Sequence, residues 1–285
     1  MTHILIHSLE HAFGDSLKIL PFLFITYLLM EVLEKKAGGK TNLLLEKAGK
    51  AGPIAGGILG VIPQCGMSTV ASNLYAGRII SVGTLIAIYL STSDEMLPIM
   101  ISRSVESAVI AKVLLFKVVI AIIAGVMVDF IDHRWKKEEH QEMKIHDFCE
   151  HEHCHCEDGI LKSAIRHTLK IFLFVLIITF VVNMGIEFIG EENLANFILN
   201  RPVLGPILAG LIGLLPNCAA SVVITQMFLD GLMSFGTMMA GLLVGAGVGT
   251  LILLRVNEDK AESMKIIGTL YLVGVLSGVF LNVFW

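Results

Sequence analysis

Charge is scarce in this sequence. Lys, Arg, Asp and Glu make up 16% of its 285 residues, against about 25% in an ordinary soluble domain, and that scarcity excludes a soluble enzyme. The 21 basic and 25 acidic residues leave a formal net charge of -4. No segment carries a basic field, so nucleic acid is excluded as a partner. A GxxxxGK[ST] loop for nucleotide phosphates is also missing, which leaves proton or membrane potential, or a partner ATPase, as the energy source for any transport. The opening residues MTHILIHSLEHAFGDS lack a basic start and a small-residue cleavage site, so they are expected to be retained rather than removed as a signal peptide. His3, His7 and His11 recur along one face of a short interfacial helix, either as a plain polar stripe or as a surface metal-capture site.

What the chain has in abundance is apolar length. Hydrophobic residues reach 55% and the mean hydropathy is +0.77. With about 20 apolar residues needed per crossing, the length admits roughly six to ten membrane segments. Apolar runs fall at 17–33, 51–75, 79–101, 108–130, 168–190, 203–229, 232–254 and 264–284, with one long polar stretch at 131–162. Two runs are interrupted, one by Pro63-Gln64-Cys65-Gly66 and the other by Pro216-Asn217-Cys218-Ala219. Proline removes an amide donor and clashes with the preceding turn, so these runs read as pairs of half-helices.

The two interruptions are copies of each other. Adding 153 to the numbering lays GPIAGGILGVIPQCGMSTV from Gly52 onto GPILAGLIGLLPNCAASVV from Gly205 without a gap. Identities continue through Ser81/Ser234, Gly83/Gly236 and Thr84/Thr237. Upstream, an offset of 152 pairs Leu17-Lys18-Ile19 with Leu169-Lys170-Ile171 and Glu31 with Asn183. Duplicated segments interrupted by Gly and Pro point to a transporter whose site lies at the repeat interface, near the bilayer midplane. The glycine trios 52/56/60 and 241/245/249 are each expected to share a helix face and to serve close helix packing.

Lys and Arg concentrate in 34–50, 131–166 and 255–265, which places all three on the cytoplasmic side. That assignment holds only if each broken run enters and leaves on the same side, and the two repeats are then inverted. The expected fold is an all-α polytopic membrane protein of two inverted repeats. Each has three long spanning helices and one Pro-broken re-entrant or discontinuous pair. Residues 1–130 form the first repeat, 131–160 a cytoplasmic linker and 161–285 the second repeat.

Chemistry is expected where polar groups enter these runs. Asp94 and Glu95, beside Ser91, Thr92 and Ser93, lie in an apolar run where carboxylates are expensive and tend to face a cavity or handle ions. Their repeat counterpart, Val244-Gly245-Ala246-Gly247-Val248, is small and neutral. At the hairpin tips Gln64 and Cys65 face Asn217 and Cys218. Ser68 and Ser221, and Asn73 and Gln226, are further equivalent pairs along the pathway. Converging carbonyls favour a cation and converging amides an anion, and the two acids tip the site towards a cation. The cysteines suit a thiophilic ion or act as small apolar residues.

The linker tract from His146 to Cys156 gathers His146, Cys149, His151, His153, Cys154, His155 and Cys156. It holds three of the five cysteines and four of the ten histidines, a composition that binds Zn, Cu or Ni. In a reducing cytoplasm it fits metal loading or sensing better than disulfides.

The strings VIPQCGMSTVASNLYAG (Val61 to Gly77), GTLIAIYLSTSDEMLPIM (Gly83 to Met100), LLPNCAASVVITQMFLDG (Leu214 to Gly231) and GLLVGAGVGTLILLR (Gly241 to Arg255) resemble the ten-helix heavy-metal exporters. These relatives of the ArsP-type permeases are variously described as arsenic efflux proteins or manganese transporters. The likeness covers nearly the whole chain apart from the His/Cys linker. It implies a 5+5 helix arrangement and export of a metal or metalloid from the cytoplasm.

The expectation drawn from residues and resemblance together is a multi-pass protein of a bacterial or archaeal inner membrane. It exports a heavy-metal ion, manganese first, with arsenite or an organoarsenical as the alternative cargo. No resident cofactor is required, the metal being transported or linker-bound. Membrane lipid and the ion are the partners, and a homodimer is compatible with this reading. An intramembrane enzyme or a metal sensor signalling through the linker are the rival classes.

Overall fold

The computed structural model describes residues 51–62, 65–93, 96–135, 203–216, 218–257 and 259–284, with scattered positions in 17–28 and 165–181 that are all helical. Among the described residues there are helices and turns and no strand. In the first repeat, α1 spans Gly52–Leu59, α2 Cys65–Ala76, α3 Val82–Ser91, α4 Met96–Ser102 and α5 Ser107–Trp135. In the second, α6 spans Leu204–Gly213, α7 Cys218–Leu229, α8 Phe235–Val244, α9 Val248–Val256 and α10 Lys260–Phe284.

Both proline-marked interruptions are real helix ends. α1 has 8 residues and α2 has 12, so at 1.5 Å per residue they reach about 12 and 18 Å, well short of a hydrocarbon core of about 30 Å. The equivalent α6 and α7, with 10 and 12 residues, are short in the same way. Among the described residues, four stretches are long and apolar enough to cross a membrane: Val82–Ser102, Ser107–His133, Phe235–Val256 and Lys260–Phe284.

Two of those four differ from the sequence expectation of uninterrupted spans at 79–101 and 232–254. α3 stops at Thr92, whose ψ of 130° leaves the helical region. The hydroxyls of Ser91, Thr92 and Ser93 accompany this stop, Ser91 donating to the Ala87 carbonyl (2.9 Å) and Thr92 to that of Ile88 (2.7 Å). Serine and threonine offer helix carbonyls an alternative donor and so end helices without proline. α8 stops at Gly245 and α9 begins after Gly247, which sits at φ +54° and ψ -137°, a conformation costly for any residue with a Cβ. Gly241, Gly245 and Gly249 therefore do not share one helix face. Gly241 packs towards Ile224 and the Ala209 carbonyl, whereas Gly249 meets Ser68 from the other repeat. The first trio behaves as expected: Gly52, Gly56 and Gly60 lie against Thr84, Ile88 and Ser91 of α3.

α3 and α8 form the centre. All side chains from Gly83 to Ser91 and from Gly236 to Val244 are buried, and the two helices touch. α1 and α5 pack on α3, and α6 and α10 pack on α8 in the same pattern. The outer faces of α5 and α10 carry exposed large apolar side chains, such as Leu115 at 64% and Leu276 at 65%, as a lipid-facing surface requires. The repeats also interlock, because α2 packs on α9 and α7 on α4.

The repeat relationship extends further than the matching strings. Ser81 caps α3 by accepting from the Thr84 amide (3.1 Å) and donates to Asp129 Oδ2 of α5 (2.7 Å). Ser234 accepts from the Thr237 amide (3.3 Å) and donates to Asn282 Oδ1 of α10 (2.8 Å). Gly83 lies against the Gly125 backbone and Gly236 against that of Gly278. At each of these positions the offset is 153.

Candidate functional site

Two helix ends meet at the centre of the molecule, one from each repeat. The last carbonyls of a helix have no partner inside it and carry its partial negative charge. Here the ends of α3 and α8 border one small cavity lined by Thr92, Ser93, Lys117, Ser221, Gly245 and Gly247 among others. The space open to a water's centre is about 10 Å³, at the lower limit for one ordered water.

Lys117 joins the two ends. It lies in the middle of α5, 1% exposed, and its ammonium donates to the carbonyl of Thr92 at the end of α3 and to that of Leu242 in the last turn of α8 (2.9 Å). A lysine is almost never fully buried unless its charge is compensated, and two carbonyls at helix C-termini supply part of that compensation. Sequence reasoning did not single this residue out. The signal was available, because a lone lysine stands in the run FKVVIAII and its repeat counterpart is the fully buried Leu270.

A second polar cluster lies where the repeats interlock. Tyr89 of α3 donates to the Gly249 carbonyl of α9 (3.0 Å), and Ser72 of α2 bonds the same carbonyl (2.8 Å). Ser72 and Tyr89 also share a hydrogen bond of 2.7 Å. At one end of the molecule, Arg78 makes a two-point contact with Glu262 at the start of α10 (2.9 and 3.3 Å). Burial works against the Arg78 charge, but the bonds and field of Glu262 outweigh it and raise its pKa above the ordinary value.

The residues expected to carry chemistry divide as follows. Ser93 is buried and Ser221 half-buried, and they line the same cavity from different repeats. Ser91 is buried but turned towards Gly60 of α1. Ser68 is buried against Gly249. Asn73 is buried and donates to the Thr69 carbonyl (3.0 Å), while Gln226 is half-buried on α7. Cys65 and Cys218 occupy the first positions of α2 and α7, with their side chains outside the described set. Gln64, Asp94, Glu95 and Asn217 lie outside the described residues, as do Glu31, the amino-terminal histidines and the linker residues His146, Cys149, His151, His153, Cys154, His155 and Cys156. Among the described residues no three His, Cys, Asp or Glu side chains come together.

The chain belongs to the ArsP_2 family, described as "Putative, 10TM heavy-metal exporter", whose model matches residues 1–190 and 169–285. It is thus a multi-pass membrane protein of a metal-exporter family, in keeping with its apolar helices. No curated protein and no solved structure matches it significantly.

Proposed function

We propose, from membership of a heavy-metal exporter family, that this protein is a secondary-active exporter of a divalent cation, manganese first, in the inner membrane of a bacterium or archaeon. The carrying observation is the convergence of the α3 and α8 ends on one small cavity whose described polar lining is oxygen-rich apart from Lys117. Hard oxygen donors suit Mn²⁺. Asp94 and Glu95 follow Thr92 in the chain by two and three residues, and in this reading they supply the carboxylates that neutralise the ion. Ser93 and Ser221 offer hydroxyls, and Gln64 and Asn217 complete the shell from the two proline-marked tips. Ser68, Ser91, Asn73 and Gln226 line the approaches.

The repeats are inverted in this reading, with α1–α2 and α6–α7 as re-entrant pairs. Alternating access is a rocking of one repeat against the other about the central helix ends. No resident cofactor takes part, and the His/Cys tract of the linker gathers metal on the cytoplasmic side. Asp94→Asn is expected to abolish protection of a metal-sensitive deletion strain against excess manganese. Unchanged resistance at equal expression would refute the assignment of cargo and site.

A second cargo is favoured by one specific feature: Cys65 and Cys218 open α2 and α7 at equivalent positions directly after the interruptions. Soft thiolates select arsenite over manganese. Loss of arsenic tolerance with intact manganese tolerance in Cys65→Ser and Cys218→Ser would move the reading to arsenite or an organoarsenical.

A further inference from the structure

Two seams between the repeats lead away from the central cavity. In one, α2 of the first repeat packs on α9 of the second, and in the other α7 packs on α4. In the inverted topology proposed above, the α2–α9 seam runs to the cytoplasmic face, because α9 ends in the basic joint 255–265. The α7–α4 seam then runs to the outer face. A rocking motion opens one seam as it closes the other.

The α2–α9 seam is fastened at both ends. Near the cavity, Ser72 and Tyr89 hold the Gly249 carbonyl. At the far end the Arg78 guanidinium, just past α2, donates from Nη2 and Nη1 to the two oxygens of the Glu262 carboxylate at the start of α10 (2.9 and 3.3 Å). This ion pair crosses from one repeat to the other. Two parallel charge-assisted bonds fix geometry as well as adding energy. The side chains are only 18% and 17% exposed, so water and salt screen the pair less than on an open surface. Each partner is also held in place: Arg78 donates to the Tyr75 hydroxyl (3.3 Å), and the Asn257 amide donates to Glu262 (3.4 Å).

The other seam has no such pair at the equivalent positions. The offset of 153 sets Gly231 against Arg78, Phe228 against Tyr75 and Val109 against Glu262. The turn itself is shared, since Arg78 and Gly231 both take a positive φ, +57° and +74°. That conformation favours glycine and penalises a residue with a Cβ. A Cβ at Gly231 would meet nothing within 4 Å, so space is not what distinguishes the two copies. The first copy bears the conformational cost, and the contacts of its arginine side chain offset it.

We infer that Arg78 and Glu262 are gating residues, their ion pair latching the α2–α9 seam so that the cavity is held shut towards the cytoplasm until the pair parts. This rests on the alternating-access reading and adds to it the group that biases its two states. With a latch on one seam and none at the matching place on the other, the empty protein favours the state closed to the cytoplasm. The strength of the pair then sets the fraction of molecules ready to load.

The test reads the cavity from each face. Membrane vesicles of either orientation, carrying the full chain with Ser221→Cys as the sole cysteine, are treated with a membrane-impermeant thiol reagent and no added metal. Arg78→Gln and Glu262→Gln are each expected to speed labelling from the cytoplasmic face about 2- to 5-fold, the change in population matching the loss of one such pair. Labelling from the outer face should slow or stay the same. The double variant should be no faster than either single one, because both changes remove the same latch. An unchanged cytoplasmic rate in both variants, a rise from both faces, a rise from the outer face alone, or additive effects in the double variant overturns the latch. If one variant does not fold, the other decides by its two rates. Uptake of Mn²⁺ into everted vesicles by the wild type is measured separately, and its absence overturns the manganese cargo while the labelling still judges the latch.

Discussion

The two halves of the chain are built alike and equipped differently. Ser81 and Ser234 cap equivalent helices, Gly83 and Gly236 let α5 and α10 approach them, and Asp129 and Asn282 receive the capping hydroxyls. Yet Lys117 stands opposite Leu270, the hydroxyl trio Ser91-Thr92-Ser93 opposite Val244-Gly245-Ala246, Tyr89 opposite Leu242, and Arg78 opposite Gly231. Most positions where the copies agree hold helices together, Ser221 in the cavity lining excepted. Where they disagree, polar groups face the central cavity, the interlock or the membrane edge. A duplicated scaffold thus fixes the geometry twice and leaves one copy free to acquire chemistry.

That division is open to attack by making the copies more alike or less so. The largest effect is expected from Leu270→Lys, which gives the second half its own buried ammonium. Leu270 is fully buried, and an uncompensated buried charge costs about 3–5 kcal/mol. Thermal unfolding of the solubilised protein should show a marked loss, and an unchanged midpoint would mean that α10 has a compensating site like that of α5. Gly83→Ala and Gly236→Ala come next, because in each a new Cβ would run into the backbone of the facing long helix. Overpacking of this kind costs about 1–3 kcal/mol, and the two variants should lose similar amounts. A large disparity in the same unfolding measurement would show that the scaffold is not equivalent in the two halves.

Smaller effects follow from single hydrogen bonds. Ser81→Ala and Ser234→Ala each remove an N-cap, at about 1 kcal/mol. Tyr89→Phe removes the hydroxyl that bridges the repeats and should cost about 1 kcal/mol, with no counterpart in Leu242. The smallest change is expected for Glu262→Gln, which uncouples Arg78 at the edge of the molecule, at about 0.5–1 kcal/mol.

The sequence made part of this visible. Pro63 and Pro216 announced two helix interruptions because proline carries its consequence in its own covalent structure. The ends at Thr92 and Gly245 carry no such mark. Hydroxyls that turn back onto their own helix and a glycine at positive φ act through conformation, and the Gly241/Gly245/Gly249 spacing imitates a packing stripe. Lys117 was hidden by the apolarity of its run, although its mismatch with Leu270 was legible once the offset of 153 was carried beyond the matching strings. Asp129 and Asn282 escaped for the same reason, since identities at this offset become sparse beyond Thr84 and Thr237 while the fold repeats to the end of α10. The linker histidines and cysteines and the acids Asp94 and Glu95 were legible as chemistry, because such residues are costly or unusual where they stand.

The central proposition, that one cavity shared by the two repeats receives the ion, is tested most directly at Ser93 and Ser221. In a background without reactive cysteines, Ser93→Cys and Ser221→Cys should each react with a small water-soluble thiol reagent in membrane vesicles, and Mn²⁺ should slow both reactions together. Protection of one position without the other, or of neither, would contradict a common site.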